Sequence, residues 1–327
     1  MSRRSGAGGP GVGRYLAGRI GQTVLVLWGA HAVSFVLLYL LPSDAVTIKL
    51  MGSTGLEAGS FDPQTLATAR EELGVDSSIW SQYVANLGRL LHGDLGISYQ
   101  RGTTVSSLLG EALPHTLLLA GSTIVLAVVL GIGLGAVIGY VRRPGLREAL
   151  LAVPPLAVSV PAFAIGLVLI QVFAFRLRVL PSSGTDGLSS LVLPTVALAV
   201  PLAAPIAQVF AKGLLSSLDQ PYIDTVFAKG ASRTQVLRHA VLNSISPTLA
   251  LVGVLVGGLI GGAVITETVF TREGIGTLTV SAVQSQDLPV VQAIVLISAA
   301  AYALATLLVD VLHPVIDKRV AHARATA

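Results

Sequence analysis

The polar residues that could carry function are concentrated in Lys212 to Pro247, a short segment between two long apolar runs. It combines an acid, Asp224, and a base, Lys229, with apolar residues at helical spacing, a mixture that suits docking against another surface. No G-x-x-x-x-G-K-[S/T], H-E-x-x-H or G-x-S-x-G motif occurs anywhere in the sequence. The corresponding phosphate-binding loop, zinc-peptidase helix and serine nucleophile elbow are therefore excluded.

Local signals in this segment predict a helix, a sharp bend and a second helix. Pro221 suits a first helical position, where its missing N–H costs nothing. Gly230 suits a helix end, because glycine adopts the left-handed conformation without a Cβ clash. Ser232 and Gln235 stand three residues apart, the spacing of a capping box that starts the second helix.

The first predicted helix has an apolar stripe made by Tyr222, Ile223, Val226 and Phe227. The helix is too short to be stable in water without a surface to cover that stripe. The sequence leaves two candidates for the surface that covers this stripe. One is the chain's own body or the lipid headgroups beneath it, since basic helices beside a membrane commonly rest on anionic lipid. The other is a groove on another protein.

Composition indicates a membrane protein. Of 327 residues, 53% are hydrophobic and only 12% are charged, whereas a soluble domain has about a quarter charged residues. The sequence contains no cysteine, which excludes disulfides, thiol catalysis and cysteine-based metal sites. The net charge is +4, and the basic residues cluster beside apolar runs. This position favours lipid headgroups over nucleic acid as the source of the opposite charge.

Six apolar runs are long enough to cross a bilayer, which takes about 20 helical residues. They predict an all-α polytopic membrane protein with six transmembrane helices and a small helical external lobe after the first. The first run is too long for the apolar core of a signal peptide, so we expect an uncleaved span. The expected spans are 20–41, 116–141, 149–175, 191–211, 245–266 and 287–309. The last five form a core, 113–311, which includes the loop 213–244. The remaining parts are a basic tail, 1–19, the external lobe, 42–112, and a second tail, 312–327.

The distribution of basic residues predicts the orientation. Fourteen of the 21 Lys and Arg residues lie in 1–19, 142–147, 212–244 and 312–327, and seven lie in the other polar segments. The positive-inside rule therefore places both termini and the loop 213–244 in the cytoplasm.

Small and polar residues in the spans leave several interpretations open. Gly131, Gly135 and Gly139 recur every four residues, a spacing that lets helices approach closely, either as a moving interface or as static packing. Prolines in the third and fourth spans mark a substrate path or irregular packing. His31 is a packed, hydrogen-bonded residue or a proton relay. Glu267 and Asp310 are expected at span ends within reach of water, so no carboxylate is evident at mid-membrane for a proton- or sodium-driven carrier.

The segment 212–247 resembles the cytoplasmic "EAA loop" of ABC-importer permeases. The residues that match are Tyr222, Thr225, Ala228, Lys229, Gly230, Ser232, Val236, His239, Ala240, Asn243 and Pro247. Asp224 stands where the general motif has Glu, and Thr225-Val226 where it has two alanines.

Four further segments resemble motifs of the same family, in the same order along the chain. They are Gly93–Ser98, Glu111–Leu117, Glu267–Gly276 and Asp287–Gln292. Together they are similar to the dipeptide/oligopeptide/nickel branch, and most similar to its B-type, or first, permease subunit. The resemblance implies the type I permease fold of ABC importers and a place in the bacterial inner membrane.

The resemblance also implies how such a chain works. A second related permease shares the translocation path, two ATPase subunits use ATP and Mg, an extracytoplasmic binding protein delivers peptide, and the chain itself is not an enzyme. The implied ATPase-coupling residues are Tyr222, Asp224, Phe227, Ala228, Lys229, Gly230, Ser232, His239 and Asn243. The implied path residues in the fifth span are Gly253, Gly257, Gly258 and Gly261. Nickel chelates, haem and glutathione are alternative cargoes within the family, and a stand-alone carrier or channel is the alternative outside it.

Overall fold

The computed structural model describes residues 12–40, 45–54, 61–73 and 78–316. Most of the predicted tails, 1–19 and 312–327, lies outside these residues. In chain order the described helices are α1 (Val12–Leu40), α2 (Ala45–Thr54), α3 (Pro63–Leu73), α4 (Ile79–Leu91), α5 (Val105–Tyr140), α6 (Pro144–Ser159), α7 (Ala162–Leu169), α8 (Ser189–Leu218), α9 (Tyr222–Ala228), α10 (Arg233–Val269), α11 (Ile275–Gln284) and α12 (Leu288–Ile316). A π-helical stretch, Ile170–Arg176, continues α7.

The all-helical membrane fold is confirmed. Within the described residues, four helical stretches are long and apolar enough to cross a membrane: 18–37, 105–140, 189–218 and 288–307. Two bent pairs, α6 with 162–176 and the two parts of α10, raise the number to six when each pair is counted as one span.

The expected third span is not one straight helix, because α6 and the helix after it are bent by 94°. The break falls at Val160 and Pro161, where Val160 has the extended backbone angles φ −100° and ψ 121°. A proline disfavours the helical conformation of the residue before it and has no N–H to continue the helix. By contrast, α8 contains Pro194, Pro201 and Pro205 and stays helical throughout.

The second span begins earlier than its apolar run suggests, at Val105. Its first two turns lie within the range expected for the external lobe. One side of these turns is apolar and buried, and Val105 and Leu109 belong to the same buried cluster as Ile275 of α11 and Val290 of α12. Tertiary burial therefore extends the helix beyond the uncharged sequence that predicted it.

Helix α8 lies at the centre of the described helices and contacts α5, α6, α7 and α10. The glycine ladder of α5 packs against it. A Cβ added at Gly131 would lie 2.6 Å from Ile206 Cγ2, and one at Gly135 would lie 2.7 Å from Phe210 Cδ1. Gly139 meets Leu214 in the same way. The ladder is therefore a tight contact between two helices of the same chain.

Candidate functional site

The segment 212–247 forms a hairpin of two helices joined by a sharp bend. Helix α9 is seven residues long and ends at Ala228. Gly230 follows with φ +80°, in the left-handed region that favours glycine. The bend is closed by the Ala231 N–H, which donates to the Val226 carbonyl at 3.3 Å.

The start of α10 has the predicted capping box. The Ser232 N–H donates to Gln235 Oε1 at 2.8 Å, and the Gln235 N–H donates to Ser232 Oγ at 3.4 Å. These two bonds satisfy backbone donors that the first turn of a helix cannot satisfy by itself. They fix the direction in which α10 leaves the bend.

The two ends of the hairpin are held together by close packing. A Cβ at Gly213, near the end of α8, would lie 3.3 Å from Ser244 Cβ on α10. Phe210, Leu214 and Ala240 form a buried apolar cluster between the same two helices. Close contacts of this kind transmit displacement, because a packed interior has little room to yield.

A bend of 45° separates Thr234–Leu242 from Ser244–Leu259 within α10. It falls at Asn243, four residues before Pro247, which lies inside the helix. Proline has no N–H for the carbonyl four residues earlier, and its ring crowds that carbonyl, so a kink is expected at this place. The spacing of Asn243 and Pro247 in the motif therefore has a backbone explanation.

The apolar stripe of α9 is divided between two surroundings. Ile223 is 4% exposed, whereas Tyr222 is 38% exposed. α9 packs against α10, and the chain covers Ile223 and part of Val226. Asp224, Ala228, Lys229 and Gly230 are exposed, as is Ser232.

The side chains of Phe227, His239 and Asn243 lie outside the described residues, and only their backbone is placed, in α9 and α10. The exposed part of α9 carries an acid in its first turn, Asp224, and a base, Lys229, just after its end. Each charge is of the sign that the helix dipole favours there. This surface can form ion pairs and apolar contacts with a partner.

The four glycines predicted for the translocation path have different surroundings. A Cβ at Gly257 would lie 2.7 Å from Tyr302 Cε2, so Gly257 packs against α12. Gly258 and Gly261 have nothing within 4 Å of an added Cβ among the described neighbours. Gly253 is half-buried.

Gly258 and Gly261 belong to an outward apolar face of α10. Val254 and Ile265 are 71% and 54% exposed, and the four residues recur at intervals of four, three and four, which is one side of a helix. We call Val254, Gly258, Gly261 and Ile265 the open face of α10. Small residues in such a face allow another helix to approach closely in lipid.

Two motifs that are far apart in the sequence, Glu111–Leu117 and Glu267–Gly276, meet at Glu267, which is fully buried. Its Oε1 accepts a hydrogen bond from Thr116 Oγ1 and its Oε2 one from the Gly276 N–H, both at 2.7 Å. Gly274 leaves no room for a Cβ beside this carboxyl group. The expectation that water reaches Glu267 is therefore wrong, because the loop 270–276 folds back over the end of α10.

Burial raises the pKa of the Glu267 carboxyl, and the hydrogen bonds from Thr116 and Gly276 oppose that rise. Burial also lowers the pKa of Arg272, which the charge of Glu267 partly offsets. Arg272 is 2% exposed, and its Nη1 donates to the carbonyls of Gly184 and Ser190 at 3.2 and 3.1 Å. The cluster thus joins α5, α10 and the loop before α8.

Two further motifs, Gly93–Ser98 and Asp287–Gln292, meet at Asp287, which is 3% exposed. Its carboxylate accepts hydrogen bonds from Ser98 Oγ and from the backbone N–H groups of Tyr99 and Gln100, the latter two at 3.0 and 3.3 Å. The loop 93–104 is thereby tied to the start of α12. Sequence spacing could not reveal either pairing, because the partners are 151 and 189 residues apart.

The family of the chain follows from comparison with known proteins. The family model "Binding-protein-dependent transport system inner membrane component" matches residues 107–322. The model for the N-terminal part of such membrane components matches residues 12–120. The two matches together cover the described spans.

Similar proteins cover nearly the whole chain. The "Probable peptide ABC transporter permease protein y4tP" of Sinorhizobium fredii is 34% identical over 94% of this chain and 99% of its own length. The "Glutathione transport system permease protein GsiC" of Escherichia coli is 31% identical over 93% of this chain and 97% of its own.

A solved structure shares the fold. A chain of the MetNI methionine ABC transporter, in an inward-facing conformation, superposes with a TM-score of 0.55 at 19% identity, covering 64% of this chain and 96% of that one. This confirms the type I importer permease fold. Taken with the two family matches and the near full-length relatives, it establishes that the chain belongs to the family of inner-membrane components of binding-protein-dependent transport systems, as a permease subunit of an ABC importer.

Proposed function

We propose that this chain forms half of the translocation path of an ATP-driven peptide importer. A second related permease forms the other half, two ATPase subunits bind ATP and Mg, and an extracytoplasmic binding protein delivers the cargo. ATP binding closes the ATPase subunits, and the hairpin α9–α10 carries that motion to the spans. This chain contributes positioning and motion, and the covalent chemistry belongs to its partners.

One observation carries the coupling part of the proposal. Helix α9 is anchored by Ile223 on one side and exposes Tyr222, Asp224, Ala228 and Lys229 on the other. A helix of seven residues gains little stability by itself, and its orientation is fixed by Gly230 and the capping box. This arrangement supports docking of the exposed side into a cleft of an ATPase subunit.

The open face of α10 supports contact with the second permease. Gly258 and Gly261 leave space for a partner helix, whereas Gly257 on the adjacent side is filled by Tyr302. We infer that the two permeases meet along this face, and that Gly253, Gly257, Gly258 and Gly261 belong to the fifth span lining the path. Both termini and α9 lie on the cytoplasmic side, as the distribution of Lys and Arg indicates.

The names of the relatives support a peptide cargo. One is named a peptide permease and another a glutathione permease, and glutathione is itself a short peptide. Short peptides are therefore the cargo class we propose, with selection by the binding protein. A stand-alone carrier is not favoured, because the family consists of subunits that depend on a binding protein.

Charge reversal on α9 tests the coupling. Asp224→Lys places a base where the proposal needs an acid, so we expect loss of ATPase subunits from the purified complex and loss of substrate-stimulated ATP hydrolysis in proteoliposomes. Asp219→Lys is the matched control, because Asp219 is also exposed but lies at the end of α8, before α9. The control should retain both properties.

A second variant tests the same segment by changing its backbone instead of its charge. Gly230→Val strains a residue at φ +80° and should also uncouple ATP hydrolysis from transport. Normal uptake by Asp224→Lys and Gly230→Val, or uptake by the chain without ATPase subunits, would contradict the proposal and favour a stand-alone carrier.

A further inference from the structure

Helix α4, in the segment between α1 and α5, packs against two membrane spans. The Tyr83 ring lies 5.2 Å from the His31 ring and 5.3 Å from the Phe35 ring, measured between centroids. Both partners are on α1. These contacts place one side of α4 directly on the first span.

A chain of hydrogen bonds adds α12 to the contact. Asn86 Nδ2 donates to Gln292 Oε1 at 3.2 Å, and Gln292 Nε2 lies 3.2 Å from His31 Nδ1. His31 is 1% exposed, so it is a packed residue with a hydrogen-bond partner. Of its two interpretations, this one fits the structure.

The contacts fix the depth of α4. His31 and Phe35 lie within the candidate span 18–37, and Gln292 lies within the candidate span 288–307. Gln292 is one helical turn after the start of α12, about 6 Å along its axis. A helix that touches residues inside two spans shares their depth, so α4 lies beside the outer ends of α1 and α12 and not above them.

The side of α4 that faces away from the chain is apolar. Trp80, Val84 and Leu91 are 78%, 64% and 79% exposed, and their spacing puts them on one stripe of the helix. The first span also exposes apolar residues, with Val33 and Leu37 60% and 57% exposed. An apolar stripe at the depth of the spans meets the same surroundings as the spans themselves.

A third side of α4 is polar or small. Ser81, Ala85 and Arg89 are exposed and lie on the helix roughly opposite or beside the apolar stripe. A helix lying in the membrane interface has this division, with Trp and Leu towards the acyl chains and a basic residue towards the headgroups.

We propose that α4 is embedded in the outer leaflet, with Trp80, Val84 and Leu91 among the acyl chains near the headgroup boundary and Arg89 at the headgroups. The occupant of the apolar stripe is phospholipid. In this position α4 links lipid to the outer ends of α1 and α12. The inference depends on the membrane fold and on the proposed orientation, and it is independent of the ATPase-coupling site.

A cysteine scan tests the proposal, since the chain has no cysteine of its own. Spin labels are attached to Trp80→Cys, Val84→Cys and Leu91→Cys, and to Ser81→Cys, Ala85→Cys and Arg89→Cys, in the assembled importer in phosphatidylcholine/phosphatidylglycerol nanodiscs. Collision with oxygen, which enters lipid, is compared with collision with a nickel chelate, which stays in water. The assembly without an introduced cysteine gives the background from partner subunits.

We expect high oxygen and low nickel accessibility at 80, 84 and 91, matching the lipid reference Val33→Cys, and a several-fold higher nickel accessibility at 81, 85 and 89. Nickel accessibility at all six positions would overturn the proposal in favour of water. Exclusion of both reagents at 80, 84 and 91 would overturn it in favour of a protein partner. Should Trp80→Cys fail to assemble, Val84→Cys and Leu91→Cys decide the outcome.

Discussion

At the scale of single residues, Glu267 shows how a family motif serves structure. The carboxyl group is enclosed by Gly274 and held by Thr116 and Gly276. A buried carboxyl without such partners would be costly. The glycines at 274 and 276 thus leave room for the acid, and the acid holds the loop that contains them.

The raised pKa of Glu267 has a consequence for stability against pH. Because the folded chain holds this proton more tightly than the unfolded chain, the contribution of Glu267 to folding stability is fully present below the unfolded pKa, near 4.5. It then decreases as pH rises through the folded pKa. We expect Glu267→Gln, which does not titrate, to lose this part of the decrease.

Thermal unfolding of the chain in detergent across that pH range is the measurement, with wild type and Glu267→Gln compared at each pH. Glu148→Gln is the control, since Glu148 is an exposed carboxyl on α6. Parallel pH curves for wild type and Glu267→Gln would contradict the assignment of the pH dependence to Glu267.

At the scale of helices, α10 presents different surfaces to α12 and to the outside. Gly257 is filled by Tyr302, and Gly258 next to it faces open space among the described residues. Two adjacent glycines therefore carry different constraints: the first is needed for contact within the chain, and the second leaves space for a partner.

An alanine at each position separates the two constraints. Gly257→Ala should destabilise the isolated chain by about 1–3 kcal/mol, because the new methyl group overpacks against the Tyr302 ring. Gly258→Ala should leave its stability equal or slightly higher, since alanine favours helix by up to about 1 kcal/mol. The measurement is the melting temperature of each variant in detergent, and equal losses for both would refute this description of α10.

The same helices show what sequence could and could not predict. Gly230, Ser232 and Gln235 act over a few residues, so the bend and the capping box follow from local propensity. The prolines of the third span predict neither the place of its break, at Pro161, nor the angle, since neighbouring helices decide whether a proline breaks a span or is absorbed as in α8. The partners of Glu267 and Asp287 depend on how distant segments pack, which one sequence does not encode in its local pattern.

At the scale of the whole molecule, the two ends of the bundle of spans differ in structure. One end is held together by the Thr116–Glu267 and Ser98–Asp287 pairs, and the other end carries the α9–α10 hairpin. Between them, the open face of α10 offers a surface of small and apolar residues. Buried hydrogen bonds therefore hold the helices together at one end, while α9 and the open face of α10 stay exposed.

Cross-linking tests where the second permease lies. In the assembled importer, Gly258→Cys and Gly261→Cys should form covalent links to cysteines placed along the fifth span of the partner permease. Val33→Cys, exposed on α1, should not. Mass spectrometry of the linked subunits is the readout, and links from 33 but not from 258 or 261 would place the partner elsewhere.

The bend at Asn243 gives the hairpin a mechanical property that a straight helix would lack. In the proposed coupling, a force applied through α9 would reach Thr234–Leu242, which leaves the axis of the following span at 45°. Such a force would act off-axis, so it would exert a torque on the span and rotate it about its own axis as well as tilt it. That rotation would turn the open face of α10 towards a different side, so a push on α9 would change the surface that α10 presents.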